Sequence, residues 1–374
     1  MASDIMDSML ARQQPHRAIK VLLDAHQLGR RQTGNETYVR ELVKCLRERR
    51  DLQMLAAVEH DHDLEGLLPA GLGRRVPRSG LGRLFALSRM ARRERVDVLH
   101  AIYFLPPLIG RPSVLTVHDI SFELHPEFFS RGALARDRLL IRASARRATC
   151  VITGSNATRI DLVEHYGLPE SRIVVAPYGV SATFHLDEDA IWAPYAGNRP
   201  LRVLAVGALQ PRKNLVRLID AIALVRRRFP VELRVVGPDG HDAGAIRKRM
   251  SESVDTRMTG WLSEEDLATE YRAADIFAYP SIYEGFGLPV LEAMACGTPV
   301  VTSTGGSLPE VAGDAALLVD PLDVEALSAA ILRVAEESVL AQSLRDRGIE
   351  RAAQFTWQRS ADVHVAAYRD LVNR

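Results

Sequence analysis

Two carboxylates, Glu284 and Glu292, lie eight positions apart in the segment SIYEGFGLPVLEAMACGTP (281–299). Between them a glycine-rich turn leads to Pro289, a residue suited to the first turn of a helix. The unpaired backbone amides at such a helix start can bind an anion. Carboxylates can accept hydrogen bonds from hydroxyl groups. The combination favours a ligand that has both phosphate and hydroxyl groups, such as a sugar nucleotide.

The composition is that of a soluble globular protein. The chain has 374 residues, of which 47% are hydrophobic and 25% are charged, and this length favours two domains. No run of about 18 apolar residues predicts a transmembrane helix, and the N-terminal MASDIMDSMLARQQPHR does not have the pattern of a signal peptide. The three cysteines lie far apart, without a metal-binding spacing, and fit a reducing cytoplasm. They are Cys45, Cys150 and Cys296.

The net charge is near zero, but arginine is concentrated between positions 71 and 150. This region has 15 Arg and no Lys against 6 Asp and Glu, a local net charge of +9. Arg138, Arg142 and Arg146 recur every fourth residue, which on a helix forms one basic stripe. The region has two interpretations: peripheral contact with anionic lipids at the inner face of the plasma membrane, or a solvated face of an arginine-rich protein. Aromatic residues are not interleaved with it, so nucleic acid is not an expected partner.

Short apolar runs alternate with amphipathic segments along both halves of the chain. Their β-branched residues predict buried parallel strands, and the alternation predicts two doubly wound α/β domains, joined by a linker at about 181–199. Ligands of such sheets bind at the carboxyl ends of the strands. We therefore expect the active site in the cleft between the domains. Strands are predicted at 18–25, 96–101, 113–119, 149–155 and 172–179, then at 201–207, 231–237, 275–281, 298–303 and 316–320; helices include 36–49, 157–166, 215–228 and 264–274.

The order of the motifs resembles one enzyme family, the retaining glycosyltransferases of family 4. The resemblance covers most of the chain and implies an α/β GT-B fold, with two Rossmann-like doubly wound domains facing each other across a cleft. An acceptor-binding domain is expected at 1–185 and a donor-binding domain at 195–356. A C-terminal helix at about 357–374 could pack back on the first. The motifs are TVHDISFELHPEFF (116–129), GALQPRKNLVRLIDAI (207–222), GWLSEEDLATEYRAADIFAYPS (260–281), EGFGLPVLEAMACGTPVV (284–301) and GGSLPEVAGDAALLVDP (305–321).

The resemblance also implies roles for residues on the donor side. Glu284 would contact hydroxyl groups of the donor sugar, and Glu292 those of the nucleotide ribose. From the residues alone, Glu292 could equally complement a helix dipole. Arg212 and Lys213 would neutralise the diphosphate, on which negative charge builds as the glycosidic bond breaks. The backbone amides expected to contact sugar and diphosphate are those of Gly285, Phe286, Gly287 and Leu288.

One departure from the family lies beside the predicted cationic pair. Many members have an arginine directly after the glycine that ends the strand, where this chain has Ala208 after Gly207. The resemblance leaves Arg212 to substitute for that arginine. Gly207 keeps its predicted place in the donor site.

Further site residues are implied in both halves. His118 would face the donor sugar, although a lone histidine is more often structural, and Asp119 would orient the loop or bind the acceptor. Gly34 resembles a glycine loop after the first strand, whose amides approach the diphosphate or acceptor. Trp261 and Leu262 align with a loop beside the nucleobase, where a packing role is an equal alternative.

The implied reaction is glycosyl transfer from a nucleotide sugar with retention, through an oxocarbenium-like state and without a metal or other cofactor. Segment 116–129 resembles members that transfer mannose in bacterial polysaccharide assembly, which favours GDP-mannose over UDP-sugars or deoxysugar nucleotides. The acceptor is expected to be a saccharide, free or lipid-linked. Two other enzyme classes share the fold: nucleotide-sugar epimerases, which need no acceptor, and sugar phosphorylases, which need phosphate. A non-catalytic nucleotide-sugar-binding protein is a third alternative.

Overall fold

The computed structural model describes residues 17–30, 33–60, 66–69, 71–129, 131–187, 192–240, 243–253 and 256–374. Its strands form two sheets, of seven and six strands. The strands pair in parallel from β3 to β5 of the first sheet and throughout the second sheet. The predicted fold class is confirmed in this respect: each sheet is a parallel sheet with helical crossovers.

The first sheet has the strand order β3-β2-β1-β4-β5-β6-β7. Strands β1, β4 and β5 in its centre are almost entirely buried, as expected of parallel strands covered on both faces. The order reverses between β1 and β4, where a crevice for ligands typically lies. The strands are β1 Ile19–Asp24, β2 Leu52–Val58, β3 Gly73–Arg75, β4 Val98–Ile102, β5 Ser113–Thr116, β6 Cys150–Thr153 and β7 Ile173–Val175.

The second sheet has the strand order β10-β9-β8-β11-β12-β13. Its order reverses between β8 and β11, and the carboxyl ends of these two strands lead into the segments around Arg212 and Glu284. The strands are β8 Leu201–Val206, β9 Val231–Val236, β10 Thr256–Gly260, β11 Ile276–Tyr279, β12 Val300–Ser303 and β13 Ala316–Val319.

Helices connect the strands of both sheets. None of the helices in the described part of the chain is long and apolar enough to cross a bilayer. Helices α1 to α7 are Thr33–Arg47, Gly80–Arg93, Ser121–Leu124, Arg131–Arg147, Asn156–Tyr166, Leu215–Val225 and Ala243–Ser251. Helices α8 to α13 are Glu264–Ala273, Leu288–Ala295, Leu308–Ala312, Val324–Glu336, Ser338–Ala353 and Trp357–Asn373.

Contacts divide the chain into two compact units. The first contains the described residues up to Thr116, together with Arg147–Val151 and His364–Arg374. The second contains Val117–Arg146 and Ile152–Val363. The predicted domain boundaries at 185 and 195 are not tested by this division and stay a prediction. The N-terminal segment expected to lack a signal peptide lies outside the described residues.

The end of α13 belongs to the first unit, where a buried polar network holds it. His364 Nε2 lies 2.8 Å from Tyr38 Oη on α1, and Tyr368 Oη lies 2.7 Å from His100 Nδ1 on β4. Thr116 Oγ1 lies 2.7 Å from His100 Nε2 and 2.9 Å from Tyr38 Oη. Buried polar groups destabilise a protein unless they are hydrogen-bonded, so this network favours one packing position for the end of the helix.

Candidate functional site

The loop between β11 and α9 is held from several sides. Ser307 Oγ donates to the carbonyl oxygens of Glu284 at 3.0 Å and Phe286 at 2.8 Å, and Ile282 N donates to Arg212 O at 2.9 Å. Gly306 has φ +60°, and a Cβ there would overlap the Glu284 carbonyl oxygen. Only glycine fits that position without strain. The backbone that carries Glu284 is therefore fixed by its neighbours.

Glu284 is the centre of a buried ionic cluster. Its carboxylate lies 2.7 Å from Lys213 Nζ through Oε1 and 2.7 Å from Arg212 Nη1 through Oε2. Tyr279 Oη donates to Oε1 at 3.0 Å and accepts from Lys213 Nζ. Arg212 Nη1 also donates to the carbonyl oxygen of Tyr283. The structure thus brings together three predicted residues, with two cations against one carboxylate.

This cluster determines the charge state of its members. Burial alone would raise the pKa of Glu284, but the ion pairs with Arg212 and Lys213 outweigh it and lower that pKa to about 2. Burial lowers the pKa of Lys213, an effect that Glu284 opposes. At neutral pH the carboxylate is ionised, so it acts only as an acceptor and has no proton to donate.

A glycine makes room for the lysine of the cluster. Gly207, directly after β8, has φ +140°, and a Cβ there would lie 3.0 Å from Lys213 Cε. Lys213 ends a 3-10 helix (Pro211–Lys213), and Asn214 then adopts a left-handed conformation before α6 begins. Gly207 therefore lies beside Lys213 and leaves room for its side chain, and its predicted contact with the donor stays a prediction.

Helix α9 begins as predicted, directly after the glycine turn. Gly287 is its N-cap with φ +102°, no side chain caps it, and Pro289 lies in the first turn. Within the described residues, no acceptor is found for four consecutive backbone amides. They are those of Gly285, Phe286, Gly287 and Leu288. This is the arrangement that binds an anion at a helix start.

His118 lies against the same loop. A Cβ at Gly285 would overlap the carbonyl oxygen of His118, so the two backbones touch. His118 Nδ1 lies 2.5 Å from Tyr178 Oη, and the Tyr178 ring stacks on Trp357 with centroids 5.8 Å apart. Burial lowers the pKa of His118 to about 4, although Asp119 opposes this. The imidazole is thus neutral at pH 7.

Asp119, the neighbour of His118, holds its own loop. Its Oδ1 accepts from Ser121 N at 2.9 Å and Ser121 Oγ at 2.6 Å, at the start of α3. This contact fits the loop-orienting alternative, and the acceptor-binding alternative stays a prediction.

Glu292 lies on α9, one turn past the helix start, and is buried. Its Oε2 accepts from Tyr271 Oη at 2.9 Å. Burial raises its pKa to about 7, with Glu264 adding to the effect and the Tyr271 hydrogen bond opposing it. Glu292 and Glu284 therefore have opposite pKa shifts although they belong to one short segment.

Three predicted residues lie on other elements. Gly34 lies in the first unit, in the first turn of α1, and has open space around its Cα. Trp261 is half-exposed just after β10, and Leu262 follows it. Their predicted role beside the nucleobase stays a prediction.

Sequence reasoning missed three polar side chains that build the site. Tyr279 bridges Lys213 and Glu284, Tyr178 contacts His118, and Ser307 fixes the loop. The two tyrosines could have been found from their place, because each lies at or just after the carboxyl end of a strand. For Ser307, the only sequence feature that could have indicated a role in the site is the Gly305–Gly306 pair directly before it. In the described part of the chain, no group of three His, Cys, Asp or Glu side chains could hold a metal ion.

Comparison with known proteins assigns the family. The model described as Glycosyltransferase Family 4 matches residues 33–184, and the one described as Glycosyl transferases group 1 matches 200–337. The O-antigen chain mannosyltransferase B of Escherichia coli is 34% identical over 72% of this chain and 73% of its own length. The chain belongs to glycosyltransferase family 4. This glycosyltransferase is also 34% identical to the MMP alpha-(1->4)-mannosyltransferase of Mycolicibacterium hassiacum, over 71% of this chain and 67% of the relative.

Solved structures show that this glycosyltransferase has the GT-B fold. Sucrose-phosphate synthase from Thermosynechococcus elongatus superposes with a TM-score of 0.77 at 24% identity, covering 95% of this chain and 99% of that one. HepE of Anabaena in complex with UDP-glucose superposes with a TM-score of 0.74 at 19% identity, over 94% and 100% of the two chains. The predicted fold class and the predicted enzyme class, a glycosyltransferase, are confirmed. The epimerase and phosphorylase alternatives gain no support from these relatives.

Proposed function

We propose that this glycosyltransferase moves a mannosyl residue from GDP-mannose to a saccharide or lipid-linked acceptor, with retention at the anomeric carbon. The observation that carries the proposal is the buried cluster of Glu284, Arg212 and Lys213 beside the free amides of the α9 start. The mannose preference is supported by the names of the two relatives that are 34% identical. Polysaccharide assembly on the cytoplasmic side of the membrane is the setting that we infer.

The cluster suits stabilisation of a leaving diphosphate. Arg212 and Lys213 carry one positive charge more than Glu284 neutralises, and all three are largely withdrawn from water. In such a site, fixed cations and amide dipoles stabilise developing negative charge more strongly than water does. The α9 amides would bind the diphosphate, and the ionised Glu284 would accept hydrogen bonds from sugar hydroxyls. No metal is required in this scheme, so turnover is expected to persist with a chelator present.

His118 would act as a neutral hydrogen-bonding group. Its pKa of about 4 leaves no imidazolium at pH 7, so it is not a general acid there. A neutral ring can instead bind a sugar hydroxyl or the developing charge on the sugar through one nitrogen. Glu292, once ionised, would hold the ribose hydroxyls of the nucleotide.

The donor is tested with a panel of GDP-, UDP-, dTDP- and ADP-sugars, each examined by thermal shift and then by analysis of the reaction products. A ligand that binds only the folded state raises its stability, so the true donor should give the largest shift. Release of the free sugar's α-anomer from an α-linked donor, read by NMR before mutarotation, supports retention. A larger shift with UDP-glucose than with GDP-mannose would overturn the donor preference. Turnover of the donor alone to an epimer, or only with phosphate, would overturn the transferase itself.

The residue roles are tested by Lys213→Ala, with Lys248→Ala on the exposed face of α7 as the matched control. We expect the first variant to lose at least about tenfold in turnover, because a cation at the leaving group is typically worth several kcal/mol. The control should keep its activity. Turnover of Lys213→Ala close to that of the control, in folded protein, would refute the assignment.

A further inference from the structure

Helix α2 (Gly80–Arg93) exposes two large apolar side chains on its outer face. Leu81 is 72% exposed and Phe85 is 59% exposed, one turn apart. The opposite face is buried, with Leu87 and Ala91 in the core of the first unit. Leu108, which is 63% exposed, lies near the C-terminal end of the helix, where Arg92 Nη2 donates to its carbonyl oxygen at 3.3 Å. Leu81 and Phe85 are therefore adjacent exposed apolar side chains on one face of the helix.

The same face is strongly basic. Arg89, Arg92 and Arg93 are exposed and follow Phe85 at helical spacing, so that Leu81, Phe85, Arg89 and Arg92 lie within about 80° of arc. Within the described residues, neither Arg89 nor Arg93 forms an ion pair. The face therefore combines apolar tips with uncompensated positive charge.

The acid that ends this helix does not neutralise the face. Glu94 is bound on the other side, by Arg74 Nε at 2.8 Å and Lys20 Nζ at 3.3 Å. No other Asp or Glu occurs between positions 66 and 96. Helix α2 itself therefore has no carboxylate that would oppose an anionic partner.

The arginine stripe of α4 is engaged within the protein instead. Arg142 Nη2 donates to His165 O at 2.6 Å and Arg146 Nε to Tyr166 O at 3.1 Å, at the C-terminal end of α5. Arg138 Nε lies 2.9 Å from Glu123 Oε2. Cations at a helix C-terminus stabilise its free carbonyl groups. Each arginine of the periodic stripe thus has a partner within the protein, which leaves it less available to a lipid headgroup.

We propose that the outer face of α2 docks on a bilayer surface that contains anionic lipids. Leu81 and Phe85 would enter the boundary between headgroups and acyl chains, while Arg89, Arg92 and Arg93 pair with the headgroups. Basic residues near an anionic leaflet add to binding one by one.

A protein partner fits the face less well. A stable protein interface buries about 800 Å² on each partner around a dry apolar core. Two apolar side chains of α2 surrounded by arginines do not provide such a core. A second copy of the chain would also bring two arginine faces together, which like charges oppose.

The test is sedimentation of the full chain with vesicles of phosphatidylcholine and phosphatidylglycerol in equal amounts, and with phosphatidylcholine alone. The double variant Leu81→Ser/Phe85→Ser should bind the anionic vesicles at least about tenfold more weakly than the native chain, since two buried apolar side chains are lost. Val339→Ser on α12 is the matched control, because Val339 is 83% exposed and lies in the second unit. It should bind like the native chain. Raising the salt to about 1 M should also release the native chain, because screening shortens to about 3 Å.

A second pair of variants separates α2 from α4. Arg89→Gln/Arg93→Gln should weaken binding to anionic vesicles, and Arg142→Gln should not. Weaker binding only on the α4 change would overturn the proposal, as would native-like binding of the Leu81/Phe85 double variant. No binding by the native chain, or a change in sedimenting mass showing that α2 joins two copies, would overturn it as well. None of these readouts depends on glycosyl transfer, so they are decided separately from the proposed donor.

Discussion

Glu292 offers a substitution that should stabilise the protein while weakening its ligand binding. Its pKa is raised from 4.5 to about 7 because its carboxyl is buried on α9. The folded state therefore holds the proton more tightly than the unfolded state. The contribution of Glu292 to the free energy of unfolding therefore falls as the pH rises from about 4.5 to about 7, and it stays constant at higher pH.

The size of the effect follows from the same shift. Ionising Glu292 in the folded state costs about 3 kcal/mol above pH 7, at about 1.4 kcal/mol for each pH unit between the two pKa values. Glu292→Gln removes this cost, keeps the side-chain volume and still accepts the hydrogen bond from Tyr271. The variant should therefore be about 3 kcal/mol more stable than the native chain near pH 8 and no more than about 1 kcal/mol more stable near pH 5.

The assay is calorimetry of the ligand-free chain between about pH 5 and pH 8. For a unit of this size, about 3 kcal/mol corresponds to a rise in Tm of roughly 6 °C or more near pH 8. Glu350→Gln, on the exposed face of α12, is the control and should show no such pH dependence. A stability gain that does not grow with pH would refute the assigned environment of Glu292.

The same substitution tests the ribose role in the opposite direction. If Glu292 must be ionised to accept two ribose hydroxyls, GDP should bind the Gln variant about tenfold more weakly, since one hydrogen bond to a charged group is worth about 1.5–3 kcal/mol. The affinity of the native chain should fall up to about tenfold for each pH unit below 7. Unchanged GDP affinity, measured by calorimetric titration, would remove Glu292 from the binding site while leaving the stability argument intact.

Three further outcomes follow from the site. Glu284→Gln should destabilise the protein by about 3–5 kcal/mol near pH 7, because Arg212 and Lys213 keep buried charges without their partner. The pKa of Glu284 is lowered to about 2, so the extra stability of the native chain is present above about pH 4.5 and shrinks as the pH falls towards 2. The unfolding midpoint of both chains, measured as a function of pH in the acid range, will show this. Gly207→Ala should lower turnover and cost about 1–3 kcal/mol of stability, because φ +140° strains any side chain, and urea unfolding measures the loss. Tyr178→Phe should reduce turnover about tenfold with little change in donor KM, because the Tyr178 hydroxyl contacts His118 Nδ1. Nitrogen NMR should show a changed tautomer ratio for the His118 ring. An unchanged ratio would mean that the Tyr178 hydroxyl does not determine which nitrogen of His118 carries the proton.

Most of the second sheet could be predicted from the sequence because its strands are short β-branched runs. Strands β8, β9, β11, β12 and β13 all lie within the predicted ranges. Strand β2 was missed because LQMLAAV has few β-branched residues, and β10 because TRMTG is half polar. The content of β-branched residues indicates how well a segment by itself suits a buried strand. Strands β2 and β10 instead depend on packing against their neighbouring strands.

The site was predictable as a set of residues but not as a set of contacts. The motifs place Glu284, Arg212 and Lys213 in one family pattern, yet the ion pairs join residues 71 or more positions apart. Tyr279 completes the cluster through its hydroxyl. In the sequence run DIFAYPS this tyrosine looks like any aromatic residue of a strand. Such contacts depend on how two strand ends and their loops lie in space, which local patterns do not contain.

The two glutamates show what the structure adds to their spacing. In the sequence, Glu284 and Glu292 are equivalent acids on either side of a glycine turn. In the fold, both are buried, and burial raises the pKa of each. Only Glu284 also meets two cations, which reverse the effect and keep it charged at any physiological pH. Glu292 meets the Tyr271 hydroxyl and the nearby Glu264 carboxylate, so it titrates near neutrality. Glu284 is thus ionised throughout this range, whereas Glu292 gains its full capacity as an acceptor only after it loses a proton. If Glu292 holds the ribose hydroxyls as we propose, nucleotide binding should release a proton below pH 7.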